Sequence, residues 1–313
     1  MTTGDRFGVR WGLAGGVALA SIAEVRDVAR YANAAGFDSL WISHSNAVDP
    51  IVALASVAGD MAHLTEVGTS VVPLYGRHPI GLAQLARTAQ SALDGRFTLG
   101  IGAASKNAVK TSMGLEWDRP LAFTREFIEG LQPLLAGLEA DVDGTELSTH
   151  AQLNITAADT PILLAALGPK MLELAGRRVE GTTVGQCGPR TIATYVAPCI
   201  QAAAQAAGRP EPRIMALIRI CMTEDHTGAY ALASETAQRY RSVPSYAAVQ
   251  DREGLQDPAE LHLIGSWERI VDGLGAYAAA GVTDFRLEVA AHNEAARDAT
   301  RAALAAHLSP RPG

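Results

Sequence analysis

Residues 162–176 read ILLAALGPKMLELAG. Ile162, Leu163, Leu164 and Ala165 suit a buried strand. They run into Ala166, Leu167, Gly168 and Pro169, and a helical pattern starts at once with Lys170, Met171, Leu172 and Leu174. A strand that passes through a glycine turn into a helix is one βα unit, and its recurrence decides the fold.

The unit does recur. Apolar runs at residues 7–13, 39–42, 67–72, 97–101, 162–165, around Thr183, 213–221 and 285–289 each precede a stretch of helical period. Helices are predicted over residues 21–35, 50–63, 79–93, 121–135, 169–176, 191–207, 266–280 and 294–307, with a less regular helical region at 225–263. Ser21 with Glu24 forms a capping box, Gly36 marks a C-terminal stop, and Asp49 precedes Pro50 at a helix start. Residues 141–155 interrupt the rhythm, and Asp143-Gly144 between alternating residues predicts a small inserted hairpin. Eight strands, each followed by helix, fit a closed (β/α)8 TIM barrel better than an open doubly wound sheet. No GxGxxG follows the first strand to favour the open form. Without a repeat of fixed period, a low-complexity tract or a linker, residues 1–313 read as one domain.

Composition sets aside several classes. The chain has 313 residues, 48% hydrophobic, and a net charge of −7 with no basic run, so nothing draws it to nucleic acid or an anionic membrane. Cys187, Cys199 and Cys221 lack CxxC spacing or a histidine cluster, which predicts buried thiols in a reducing cytoplasm and no metal centre. The apolar stretch 11–22 is too short to span a bilayer and is broken by Gly12, Gly15 and Gly16. A cytoplasmic protein is expected.

In a barrel of this kind the site forms from loops at the C-terminal strand ends. These loops hold Ser43-His44-Ser45, Ser70-Val71, Gly102 to Lys106 with Ala104 and Ser105, Ala166-Leu167-Gly168-Pro169-Lys170, and Gly185 to Pro189. Glycine lets backbone approach a ligand, and a helix start favours an anion, so residues 166–170 form a candidate phosphate cradle with Lys170 adding charge. The alternative is an ordinary tight turn. His44 is a candidate for hydrogen bonding or proton transfer, or else a solvated loop histidine. Glu116, Asp118 and Arg119 are expected to start the fourth helix, the carboxylates as caps. No carboxylate pair, Ser-His-Asp order or metal-ligand cluster stands out, which assigns the chemistry to a cofactor.

The segments GRFTLGIGAASK, MGLEWDRPLAFTREFIEGL, VGTSVVP, PILLAALGPKMLELAG and AAAGVTDFRLEV resemble the bacterial luciferase-like superfamily of flavin and deazaflavin oxidoreductases. The resemblance runs from about Phe7 to Leu308 and is strongest to reductases using coenzyme F420, in the methylenetetrahydromethanopterin reductase branch. It implies a deazaflavin across the barrel mouth and hydride transfer to or from a small organic substrate. It also implies a cis peptide at Ser70-Val71 behind the ring. The phosphate would lie on residues 166–170, and Ala104, Ser105 and Lys106 would line ring and side chain, with Ser43 and Gly185 beside them.

Three positions depart from the pattern. Arg10 stands where the methanopterin reductases carry a glutamate near the end of the first strand, His44-Ser45 where many relatives read Asp-His, and Ala104-Ser105-Lys106 where they read Gly-Asp-Lys. The usual acid is therefore absent at two places, which points away from a methanopterin or sugar-phosphate substrate. The expected function is an F420-dependent reductase acting on an activated C=C or C=N bond, with His44 as the catalytic group. Alternatives are an FMN-dependent monooxygenase on the same barrel and a non-catalytic cofactor-binding protein. The alanine-rich, arginine-over-lysine composition suits an actinobacterial genome, and the resemblance implies a homodimer.

Overall fold

In the computed structural model, which describes residues 6–16 and 18–309, eight parallel strands close on themselves. They are β1 (Arg10–Ala14), β2 (Ser39–Ile42), β3 (Glu66–Thr69), β5 (Phe97–Gly102), β8 (Ile162–Ala165), β9 (Gly181–Val184), β10 (Arg213–Met222) and β12 (Asp284–Val289). They pair in that order, and β12 returns to β1 with Leu13 opposite Leu287. Short β4 (Val72–Pro73) and β11 (Leu263–Gly265) extend the sheet at β5 and β10, and β6 (Ala140–Val142) with β7 (Thr149–Ala151) forms a separate hairpin. The expected (β/α)8 barrel is present.

The outer helices are α1 (Ile22–Ala35), α2 (Pro50–Ser56), α3 (Pro79–Ala92), α4 (Pro120–Leu135), α5 (Pro169–Arg178), α6 (Pro189–Thr191), α7 (Ala197–Ala206), α8 (His226–Arg241), α9 (Pro244–Glu253), α10 (Trp267–Ala279) and α11 (Glu294–Leu308). Ser21 accepts from the Glu24 amide while Glu24 reaches back to the Ala20 amide, and Gly36 ends α1 at φ 84°. None of the described helices is long and apolar enough to cross a membrane.

Several boundaries differ from expectation for local reasons. The first strand starts at Arg10 because Phe7 and Gly8 turn through left-handed backbone at φ 54° and 67°. The strand predicted over 67–72 breaks after Thr69 at a cis Ser70–Val71 bond and resumes as β4. The helix predicted over 50–63 stops at Ser56 and continues as a 3-10 turn. Asp143-Gly144 does not make a two-residue turn. Residues 143–148 wrap round the Glu126 carboxylate, which accepts from the Glu146 and Leu147 amides at 2.6 and 3.3 Å. Nor do Glu116 and Asp118 cap α4: Arg119 is its N-cap position without a side-chain bond, and Glu116 pairs with Lys110 at 3.0 Å.

Inside the barrel Trp41 packs with Leu163 and Met215, bringing together β2, β8 and β10. The neighbours of β2 make room for the indole. A Cβ on Gly12 would press on Trp41 Nε1, and one on Gly68 would collide with Trp41 Cζ3. At the N-terminal strand ends an ion cluster ties β1, β3, β10 and β12. Arg213 bonds Glu66 and Asp284 at 2.8 Å each, and Arg10 reaches Glu66 at 3.0 Å and also Asp284. Arg10 thus lies at the end of the barrel opposite the strand C-termini. The expectation that it replaces an acid of the site is incorrect: the side chain completes a structural ion cluster.

Gly68→Ala is expected to destabilise the protein by about 3 kcal/mol through overpacking against Trp41. Gly59→Ala, with open space round it, should change stability by less than about 0.5 kcal/mol. Thermal unfolding of both variants checks the pair.

Candidate active site

The C-terminal strand ends surround a cavity of ≈ 520 Å³. Of the residues singled out in the sequence, Ser43, His44, Ser70, Val71 and Gly185 line it. Ala104, Ser105, Lys106 and residues 166–170 belong to the same rim, after β5 and β8, but lie outside this cavity. Tyr240 of α8 and Tyr246 of α9 also line it, so the irregular helical region supplies part of its wall.

Hydrogen bonds from three strand ends hold the floor. The Ser70 carbonyl accepts from Ser43 Oγ and from Arg286 Nη1, both at 2.7 Å, and the His44 amide donates to the Val71 carbonyl at 3.3 Å. Ser70 Oγ lies 3.2 Å from Thr183 Oγ1. The Ser70 carbonyl is therefore held in place by two donors. Such fixed peptide groups make a rigid platform for a flat ligand.

His44 is about one-third exposed, and its Nδ1 is buried without a hydrogen-bond partner, 4.0 Å from Asp49 Oδ2. Asp49 is already engaged by Arg77 at 3.0 Å and by the Ile51 and Val52 amides of α2. Burial and the Arg77 charge hold the His44 pKa below its ordinary value, against a smaller opposing pull from Asp49. The imidazole is therefore neutral near pH 7 and able to accept a proton.

Two helix starts on the rim look alike in sequence and differ in the fold. Gly188 opens α6, and the Glu253 carboxylate accepts from the Arg190 and Thr191 amides at 3.1 and 2.8 Å, so an internal anion fills that site. Gly168 opens α5 with no side-chain cap, is exposed, and has no atom within 4 Å of where a Cβ would stand. Tyr195 Oη donates to the Leu167 carbonyl at 3.0 Å and steadies this loop. The lysines of the chain are Lys106, Lys110 and Lys170. Lys110 pairs with Glu116, whereas Lys106 and Lys170 make no ion pair among the described residues. They stand after β5 and β8, which are neighbours in the sheet. An open helix N-terminus with two ammonium groups on the same rim has the chemistry to hold an anion. Ala104 and Gln186, at φ 58° and 60°, are non-glycine residues in left-handed backbone on this rim, a strain that concentrates at ligand-binding loops.

Sequence reasoning passed over Arg219, Arg286 and Glu288, all lining the cavity. The available signal was charge inside a strand, beyond its first residue, as with Arg286 and Glu288 in DFRLEV and Arg219 in RIMALIRICM. Arg219 Nε bonds Glu288 at 3.0 Å, and its guanidinium stands 5.1 Å above the Tyr240 ring.

A family model described as luciferase-like monooxygenase matches residues 7–284. A 5,10-methylenetetrahydromethanopterin reductase of Methanolobus tindarius is 30% identical over 247 residues, 78% of this chain and 74% of the relative. An F420-dependent secondary alcohol dehydrogenase, solved with an F420-acetone adduct, superposes with a TM-score of 0.80 at 18% identity, covering 96% of this chain and 99% of that one. The monooxygenase RslO1 of Streptomyces bottropensis gives 0.78 at 20% identity, covering 96% and 98%. The barrel, the extent of the match and the reductase relative agree, and the chain belongs to the luciferase-like monooxygenase family of enzymes.

Proposed function

We propose that this enzyme is an F420-dependent oxidoreductase that transfers hydride between the deazaflavin and a small organic substrate, at an activated C=C or C=N bond or, in reverse, at an alcohol. The observation that carries the reading is the uncapped N-terminus of α5, flanked by the unpaired Lys106 and Lys170 and adjoining a cavity floored by the Ser70–Val71 bond. Amides after Gly168 would hold the coenzyme phosphate, with Lys170 and Lys106 supplying charge. The peptide face of Ser70 and Val71 would support the ring, and Ser43 with Arg286 would keep that face in place. When bound, the coenzyme supplies a ring carbon that gives or takes hydride. His44, neutral and open to the cavity, would move the proton that accompanies it.

A second reading puts FMN in the same barrel, as a monooxygenase. Its support is the superposition on RslO1, nearly as good as that on the alcohol dehydrogenase. A non-catalytic cofactor-binding protein loses one of its two motives, the acid missing at Arg10, because Arg10 lies at the far end of the barrel.

Titrating oxidised F420 with the protein should quench the coenzyme fluorescence in the micromolar range. Absence of quenching sinks the first reading, and FMN binding with oxygen uptake selects the second. Gly168→Asp should supply the missing cap of α5, raising stability by a few tenths of a kcal/mol. The same carboxylate should weaken F420 binding by about 10–100-fold, since each charged hydrogen bond lost is worth roughly 1.5–3 kcal/mol. His44→Asn should lower kcat by about 10²–10⁴-fold while coenzyme quenching stays within a few-fold. In the direction that oxidises an alcohol His44 must accept the proton and the neutral imidazole is the active form, so wild-type activity in that direction should fall only below pH 6.5. Arg77→Met, which removes a cation that lowers the His44 pKa, should move this acid limb upward.

A further inference from the structure

We propose that the cavity takes a substrate bearing a carboxylate, docked on the guanidiniums of Arg286 and Arg219, with its reacting carbon toward His44 and the Ser70–Val71 bond. This inference rests on the oxidoreductase reading above and names its substrate class.

Arg286 carries the argument. Its side chain is buried at 8% exposure and lines the cavity. Its hydrogen bond among the described residues is the one from Nη1 to the neutral Ser70 carbonyl, and Nε is buried with no partner. No carboxylate of the described residues stands within ion-pair distance of it. A buried guanidinium without a counter-ion is rare, because a carbonyl satisfies one N–H and leaves the charge uncompensated. Burial accordingly pulls its pKa down to about 10, which still leaves it cationic at neutral pH.

The next layer up adds no surplus negative charge. On β12, Arg286 and Glu288 are two residues apart and face the same side of the strand. In the β10–β12 register Arg219 stands opposite Glu288 and Leu217 opposite Arg286. Glu288 is bonded to Arg219 and at longer range offsets part of the Arg286 charge, so a single carboxylate faces two guanidiniums. Arg239 also lines the cavity, held at the surface by Glu235. The wall of this cavity is therefore net positive within a chain of net charge −7, and a low-dielectric pocket focuses such a field on entering anions. The Tyr240 ring under Arg219 keeps the guanidinium planar face in one orientation. Planar forks match the two oxygens of a carboxylate.

The coenzyme brings its own anionic groups, but the cradle assigned to them lies elsewhere on the rim. Gly168, Lys170 and Lys106 follow β8 and β5, whereas the two arginines stand on β10 and β12, with β9 between the groups in the strand order. A carboxylate on Arg286 leaves the rest of a small molecule between the arginines and His44, in the same ≈ 520 Å³.

Cinnamate and its neutral isostere cinnamamide, titrated calorimetrically into the F420-saturated protein, test this. Cinnamate should bind at least tenfold more tightly, with the advantage shrinking as sodium chloride is raised. In Arg286→Gln, and separately in Arg219→Gln/Glu288→Gln, the ratio should fall below about threefold, with circular dichroism confirming folded protein. Equal binding of the two probes with F420 quenching intact overturns the proposal and leaves the oxidoreductase reading standing. Exclusion of cinnamate by F420 assigns the arginines to the coenzyme and also overturns it. Preference for cinnamate without any F420 quenching overturns the oxidoreductase reading and keeps the anion site.

Discussion

A closed barrel of eight strands must fill its own interior, and here one indole does much of the filling. Trp41 stands on β2, meets Leu163 and Met215 from strands β8 and β10, and has glycine on both neighbouring strands. The interior is packed close to crystal density, so a side chain of this size fixes what its neighbours can be. Gly12 and Gly68 are therefore part of the same packing unit as Trp41. Above this plug, the strand ends have no further core to build, and their side chains are available for a ligand.

The two ends of the barrel treat charge in opposite ways. At the N-terminal end two arginines meet two carboxylates, Glu66 and Asp284, and the ion cluster closes on itself. At the C-terminal end the polar groups outnumber their partners. Among the described residues, the α5 amides have no side-chain cap, Lys106 and Lys170 have no carboxylate, Arg286 is buried against a carbonyl, and His44 Nδ1 has no hydrogen-bond partner. Native folds rarely leave so many groups unmatched in one place without a ligand to match them. Stability and chemistry are thus separated along the barrel axis, as the architecture allows.

Much of this was legible beforehand. Alternating apolar runs and helical stretches gave the barrel, and caps such as Ser21 and Asp49 lay where their side chains predicted, because these signals are local. The rim loops were legible from strand ends, and Ser43, His44, Ser70, Val71 and Gly185 do share one cavity. The cis bond at Ser70–Val71 followed from resemblance and is present. Arg10 was misplaced because Phe7 and Gly8, read as strand, adopt left-handed turns that move the start of β1. Arg219, Arg286 and Glu288 were missed because they stand within strands, whereas the search for site residues was confined to the loops after the strand ends.

By itself the sequence determined the order and type of the elements, since hydrophobic period and capping chemistry act over a few residues. It also determined which loops could carry glycine turns and helix starts. Only the tertiary structure decided which of two similar helix starts stays open. Glu253, more than sixty residues downstream of Gly188, folds back to occupy α6, and nothing comparable reaches Gly168. Likewise only closure of the barrel set Arg286 of the last strand against Ser70, just past the end of the third, across 216 residues of chain. Both outcomes depend on long-range partners, and a partner so remote leaves no mark in the local pattern of residues.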